Sequence, residues 1–217
     1  MERGRDTHAF ARACLVIALA VAGSNDEAMA AAKGLIEAAE ATRNPWALSF
    51  ALLAYGYAVR EADPIRALDA LHRSLMVARD TGNRFNESTM SASLARLETE
   101  HGDPLAALDY LALAIHTFHD SGNTAVIRPP LASLAAFLDR LGYHESAATI
   151  AGFALSTLTA VTFPELDTAI THLRDVLGDQ TYESLARKGE TMTTAAMATY
   201  AFDQIDQARA ELSAVSK

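Results

Sequence analysis

A spacing of forty residues constrains this chain more than any other feature. Asp63-Pro64 returns as Asp103-Pro104, Ala67-Leu68-Asp69 as Ala107-Leu108-Asp109, Leu71 as Leu111, and Asp80, Gly82 and Asn83 as Asp120, Gly122 and Asn123. The phase reaches further. Gly142 and Ala147 stand forty after Gly102 and Ala107, while Ala28 and Asn44 stand thirty-nine before Ala67 and Asn83. Self-similarity at a period of about 20–50 residues marks stacked supersecondary units.

Within each unit, residues recur at spacings of four and three: Ala28, Ala32, Leu35; Ala67, Leu71, Ser74; Ala107, Leu111, Ala114; Ala147, Ala151, Ala154. These spacings put them on one face of a helix. Small side chains there let two helices approach near the short end of the ~8–10 Å interaxial range. Each unit therefore predicts two antiparallel helices, at 7–22 and 26–42, 45–61 and 64–81, 84–101 and 104–120, 125–141 and 144–160. The punctuation has mechanisms. Asn44, Asp63 and Asp103 can cap helices whose first residue is Pro45, Pro64 or Pro104, where the missing N–H costs nothing. Gly82 and Gly122 close the helices before them, and Asn83 and Asn123 can cap the next ones. No alternating Val/Ile/Thr run predicts a strand, and the abundant Ala favours helix.

The repeat fades after 160. Further helices are expected at roughly 165–177, ended by Gly178, at 179–188, ended by Gly189, and from Thr193 or Thr194 to about 214, with Ala196, Met197, Tyr200, Ala201, Ile205 and Ala208 on its apolar face. A solenoid needs atypical terminal elements to cover its last apolar surface. The expected fold is thus all-α: a right-handed α-solenoid of about four helix pairs over 1–160, with capping helices over 161–217.

Half of the 217 residues are hydrophobic, ample for a core, and the net charge is −9 at pH 7. An acidic chain with a pI near 5.2 lacks the basic surface that nucleic acid requires, so no direct nucleic-acid contact is expected. One cysteine, Cys14, excludes an internal disulfide and is read as a buried, inert thiol; the cytosol is the natural compartment. Residues 1–23 imitate a secretory signal, with arginines, an apolar run and Ala20-Val21-Ala22 before Gly23. Arg12 interrupts that run, however, and the segment fills the first-helix slot of the first unit. It is too short to span a bilayer, which needs ~20 apolar residues.

Catalytic signatures are missing. There is no GxxxxGK[ST] loop, HExxH, paired CxxC or GxSxG, so no catalytic residue, metal or cofactor is expected and the chain does not read as an enzyme. His116 and His119, three apart and followed by Asp120, could share a metal. The preceding copy has Met76 and Arg79 in those slots, which favours a solvated helix end. His8, His72, His101, His144 and His172 show no partner pattern. Glu87, Glu98 and Glu100 read as solvating charges. In stacked helical hairpins the first helix of each pair lines the concave surface. Candidates for ligand contact there are Trp46, Tyr55 and Tyr57 of the second pair, Arg84, Asn86, Glu87 and Met90 of the third, and Arg128, beside Pro129-Pro130, of the fourth. Aromatics and Arg concentrate binding energy, but Trp46 and the tyrosines read first as core between units. Pro129-Pro130 should kink or delay its helix.

The Ala-x3-Leu-x2-Ser/Ala pattern of the second helices resembles the second helix of tetratricopeptide (TPR) repeats, in a unit longer than the usual 34 residues. It resembles more closely the extended TPR-like repeats that follow the ATPase module in LuxR-type and MalT-like signal-transduction ATPases, and in related actinobacterial regulators pairing a cyclase-like domain with an ATPase. The stretch 173–205 is similar to the ending of those regulators through Leu177, Gly178, Tyr182, Leu185, Gly189, Met192, Ala195, Ala198 and Tyr200. Leu141-Gly142 with Glu145, Ala147, Ala148 and Gly152 resembles the segment just before it. No ATPase loop or DNA-binding helix-turn-helix is present to match that family's other parts. The resemblance implies a non-catalytic module that takes a protein, a peptide or a small effector in a concave groove and signals to an ATPase or output domain, in the same chain or another. The rival is a homo-oligomeric scaffold built from the same repeats.

Overall fold

In the computed structural model the described residues are 2–122 and 126–215, without the side chains at 2–7, 101, 158 and 215. The expected cap Asn123, the expected helix start at 125 and the His101 side chain lie outside this set. The described residues form helices joined by short turns, with no strand among them. No described helix is long and apolar enough to cross a membrane. The chain divides into two compact units, Met1–Leu97 and Glu98–Lys217.

The first unit holds α1 (Glu2–Val21), α2 (Asn25–Ala32), α3 (Leu35–Glu40), α4 (Pro45–Val59), α5 (Pro64–Asp80) and most of α6 (Arg84–His101). α4 packs against α1, α2, α3 and α5. Ala13, Val16, Ala20, Ala28, Ala32, Leu35, Ala39, Ala51, Ala54 and Ala58 form a core in which alanine dominates, so the helix backbones lie close together. Cys14 is exposed, not buried as expected. The buried face of α1 runs through Ala9, Ala13, Val16 and Ala20, and Cys14 and Leu15 lie off it.

The helix expected over 26–42 is two helices. Lys33 is extended and Gly34 is left-handed at φ 74°, which interrupts the hydrogen-bond ladder and frees carbonyls. The Arg12 guanidinium takes them, with Nε donating to Ala31 O at 2.8 Å and Nη2 to Lys33 O. The caps read from the sequence form. Asn44 Oδ1 accepts from the Trp46 and Ala47 amides, Asp63 Oδ1 from Arg66 N and Asn83 Oδ1 from Asn86 N. α6 is rich in polar residues yet largely buried. Ser88, Ser91 and Ser93 donate their hydroxyls to the carbonyls four residues back, so they enter the interior with their donors satisfied.

The second unit holds the end of α6, then α7 (Pro104–Asp120), α8 (Arg128–Arg140), α9 (His144–Ala154), α10 (Thr157–Thr162), α11 (Pro164–Leu177), α12 (Asp179–Glu190) and α13 (Thr194–Val215). α8 packs against α7, α9 and α11, α9 against α12, and α13 against α7. The helices expected to cap the array therefore share one body with α7, α8 and α9. Leu108, Leu111, Ile115, Leu131, Leu134, Leu138 and Ile150 are fully buried. Asp103 Oδ1 caps α7 through Leu105 N at 2.9 Å. Pro129 and Pro130 delay α8, which begins at Arg128. The helix expected to run to 160 ends at Ala154, because Ser156 and Thr159 form a capping box that starts α10. Every residue of the four-three pattern, from Ala28 to Ala154, is buried. On α13, Met197, Ala201, Ile205 and Ala208 are buried as expected, whereas Ala196 is exposed.

α9 and α12 cross at backbone contact. A Cβ on Gly152 would stand 2.1 Å from Ala186 O, and one on Gly189 would stand 1.8 Å from Thr149 O. Each helix thus presents its glycine to the other's backbone, the close approach that only a missing side chain permits.

Candidate functional site

The residues singled out on α4 and α6 have different fates. Trp46 is 39% exposed at the start of α4, its ring 4.6 Å from that of Phe10 and 5.6 Å from that of Phe50. Tyr55 and Tyr57 are half-buried against the alanine core, and Tyr57 Oη lies 3.4 Å from Ser93 Oγ. Met90 is fully buried. So is Asn86, whose Nδ2 donates to Ser49 Oγ at 2.6 Å, while Ser74 Oγ donates to Ser49 O at 2.6 Å. Asn86 Oδ1 has no hydrogen-bond partner among the described residues. Arg84 is exposed and pairs with Glu87 at 3.6 Å; Arg79 also holds Glu87, at 3.1 Å. Glu87 and Glu98 are buried rather than solvating. Glu87 is balanced by its two arginines, and Glu98 Oε2 accepts from Asp103 N at 2.9 Å. The part of this set that a ligand can reach is Trp46, Arg84 and the edges of the tyrosines.

Arg128, the candidate from the fourth pair, lies in the second unit on a cleft of about 480 Å³, also lined by Phe153, Arg174, Tyr182, Glu183, Arg187 and Glu190. Its Nη1 donates to Phe153 O and to Leu155 O at 3.2 Å, and its guanidinium carbon lies 4.9 Å from the Phe153 ring centroid. Those carbonyls are left open by the break between α9 and α10, so Arg128 closes a helix end. Arg174 donates to Asp179 at 2.9 Å and to Glu183, and stacks over Tyr182 at 4.4 Å. Burial pushes the Tyr182 phenol above its ordinary pKa, opposed by the Arg174 charge. Arg187 is exposed on the rim. Of the three guanidiniums on this cleft, Arg128 is engaged by backbone carbonyls and Arg174 by Asp179 and Glu183, which leaves Arg187 on the rim beside an aromatic wall. This set suits a carboxylate- or phosphate-bearing ligand held by an Arg fork.

A second polar centre joins residues that have no shared partner pattern in the sequence. His144 and His172 converge on Asp139. The tight connection from α8 to α9, with Gly142 N donating to Asp139 O at 3.0 Å and Tyr143 N to Leu138 O at 2.9 Å, sets His144 beside Asp139. His172 arrives from α11. His144 Nδ1 lies 3.0 Å from Asp139 Oδ1, and His172 Nδ1 lies 2.9 Å from Oδ2 and 3.0 Å from Oδ1. The two rings meet edge-on with centroids 5.5 Å apart. Asp139 is only 6% exposed. Among the described residues this is the trio whose donor atoms all lie within 4.8 Å of one another. His116 and His119, by contrast, each pair with Asp120, at 3.1 and 3.3 Å, on the outside of α7, as expected of a solvated helix end. Asp139 and His144 bracket a Leu-Gly turn, a signal that could have linked them. Nothing in spacing alone points to His172.

Comparison with family models, with curated proteins and with solved structures finds no match to the chain.

Proposed function

We propose that this chain is a non-catalytic, TPR-like helical-repeat module that senses an effector or grips a partner, and that it serves a bacterial signal-transduction ATPase or transcriptional regulator. The reading rests on one observation: helices opened by Asp63-Pro64 and Asp103-Pro104 recur at a fixed phase, and each opens on an aspartate side-chain cap. A recurring unit of this kind makes an extended binding surface by translation, and small rotations between units supply the two states that allostery requires. The Arg-lined cleft beside Arg128 is the natural seat for an acidic effector or peptide. The experiment is a thermal-shift and pull-down screen with wild type, Arg187→Ala and Trp46→Ala. Arg187 is preferred to Arg128 because removing Arg128 would also uncap a helix. Ligands of the cleft in the second unit should lose at least about tenfold in affinity with Arg187→Ala, and ligands held by the aromatic cluster of the first unit should lose as much with Trp46→Ala. Ligands indifferent to both would remove the assignment.

A further inference from the structure

We propose that Asp139, His144 and His172 form a binding site for a divalent transition-metal ion, with zinc the ion that fits best. This goes beyond the sensing role and does not depend on it. The three residues come from different elements, the end of α8, the start of α9 and the middle of α11. Their donor atoms nevertheless share one small volume.

The donor set selects the metal. Two imidazole nitrogens and one carboxylate suit zinc and its neighbours in the first transition row. Magnesium and calcium prefer oxygen ligands alone. The spacing also fits. Tetrahedral ligands at ~2.0–2.1 Å from zinc are separated from one another by roughly 3.3 Å. The nitrogen-to-oxygen separations here are 2.9 and 3.0 Å and need to open by a few tenths of an ångström, while the donor atoms as a set lie within 4.8 Å of one another.

In the metal-free chain the same atoms serve as hydrogen bonds, each imidazole donating Nδ1–H to the carboxylate. Metal binding needs the other tautomer: the proton moves to Nε2, and the Nδ1 lone pair turns to the ion. Burial gives the exchange a driving force. A carboxylate as enclosed as Asp139 is poorly hydrated, and a dication compensates its charge more fully than two neutral N–H donors do. The His172 side chain, 52% exposed, leaves an entry path and room for water as a fourth ligand. Because the ion would tie together three helices that are adjacent only in the folded state, it should stabilise that state in proportion to its concentration.

The test uses the full chain, stripped with a chelator and then titrated with Zn²⁺ and with Co²⁺ as a coloured stand-in. The expected result is one equivalent bound at micromolar metal, visible Co²⁺ absorption typical of low coordination number, and a Tm that rises with Zn²⁺. His172→Gln, on an exposed side chain and so compatible with folding, should weaken binding at least about tenfold and erase the Tm rise. His144→Gln should do the same. The double variant His116→Gln/His119→Gln should bind as wild type does. The proposal is overturned if no stoichiometric binding occurs, if His172→Gln binds as tightly as wild type, or if the His116/His119 variant is the one that loses the metal.

Discussion

Arg12 and Arg128 carry the same duty at two places in the chain. Each reaches from one helix to the carbonyls of two residues, n and n+2, where a following helix breaks: Ala31 and Lys33 for Arg12, Phe153 and Leu155 for Arg128. In the sequence Arg12 reads only as an interruption of an apolar run, because its targets lie on another element and no period links them. His172 is hidden for the same reason, since a side chain that meets its partners across helices leaves no spacing signal. Tyr143 is a further contact of this kind. It donates its hydroxyl to Glu211 Oε2 at 2.6 Å. Burial first, then the hydrogen bond and charge of Glu211, push its pKa up to about 12, while the same bond lowers that of Glu211. Between the ordinary tyrosine pKa and about 12 the unfolded chain releases the phenolic proton and the folded chain keeps it. This contribution to stability is therefore intact below pH ~10 and is lost as pH rises through the folded value. The Glu211 contribution runs the other way, intact above the ordinary carboxylate range and lost as pH falls through the depressed value. Besides Tyr182, itself raised by burial, ultraviolet titration of tyrosinate should show Tyr143 ionising late. Glu211→Gln should bring it earlier without restoring the ordinary value, since burial is the larger cause. A titration curve unchanged by Glu211→Gln would refute the pairing.

Helices were easy to read where their ends carry chemistry and hard where they do not. Asn44-Pro45, Asp63-Pro64 and Asp103-Pro104 open α4, α5 and α7 where expected, because a side-chain cap and a proline act within three residues of each other. The breaks after Ala32 and Ala154 leave no period signal, because apolar periodicity continues across both and each break is held from outside by an arginine. The crossing of α9 and α12 shows a further limit. Gly152 and Gly189 lie far apart in the sequence, and their pairing appears only in three dimensions. Their placement makes a sharp prediction. Adding one methyl group at either position puts a Cβ about 2 Å from a backbone oxygen, and backbone cannot yield as a side chain can. Gly152→Ala and Gly189→Ala should each cost at least about 3 kcal/mol, the upper end of ordinary overpacking, measured by urea unfolding with helicity followed by circular dichroism. Gly102→Ala is the control. The atoms it would strike first belong to the flexible end of Glu98, so it should cost less than either. Equal, small losses at all three would mean that α9 and α12 are not in backbone contact.

At the scale of the whole molecule, two readings compete, a sensing module and a self-associating scaffold, and surface chemistry separates them. A scaffold needs a continuous apolar patch, whereas single exposed apolar residues are ordinary. Among the described residues the most exposed large apolar side chain is Ile65, at 82%, and Met76 lies on the same face of α5. Between them on that face stand Asp69 and His72, both exposed, so the face is broken by polar groups. The net charge of −9 adds repulsion between copies at neutral pH. Multi-angle light scattering at pH 7 should therefore give the mass of one chain, 23.2 kDa, at every concentration up to about 100 μM, the upper micromolar range in which exposed apolar surface drives association. As the pH approaches 5.2 the repulsion vanishes, and weak association should appear that salt alone does not reproduce at pH 7. A mass that doubles with concentration at pH 7, and that Ile65→Asp returns to one chain, would make the scaffold the better account and turn the repeat units into contacts between copies.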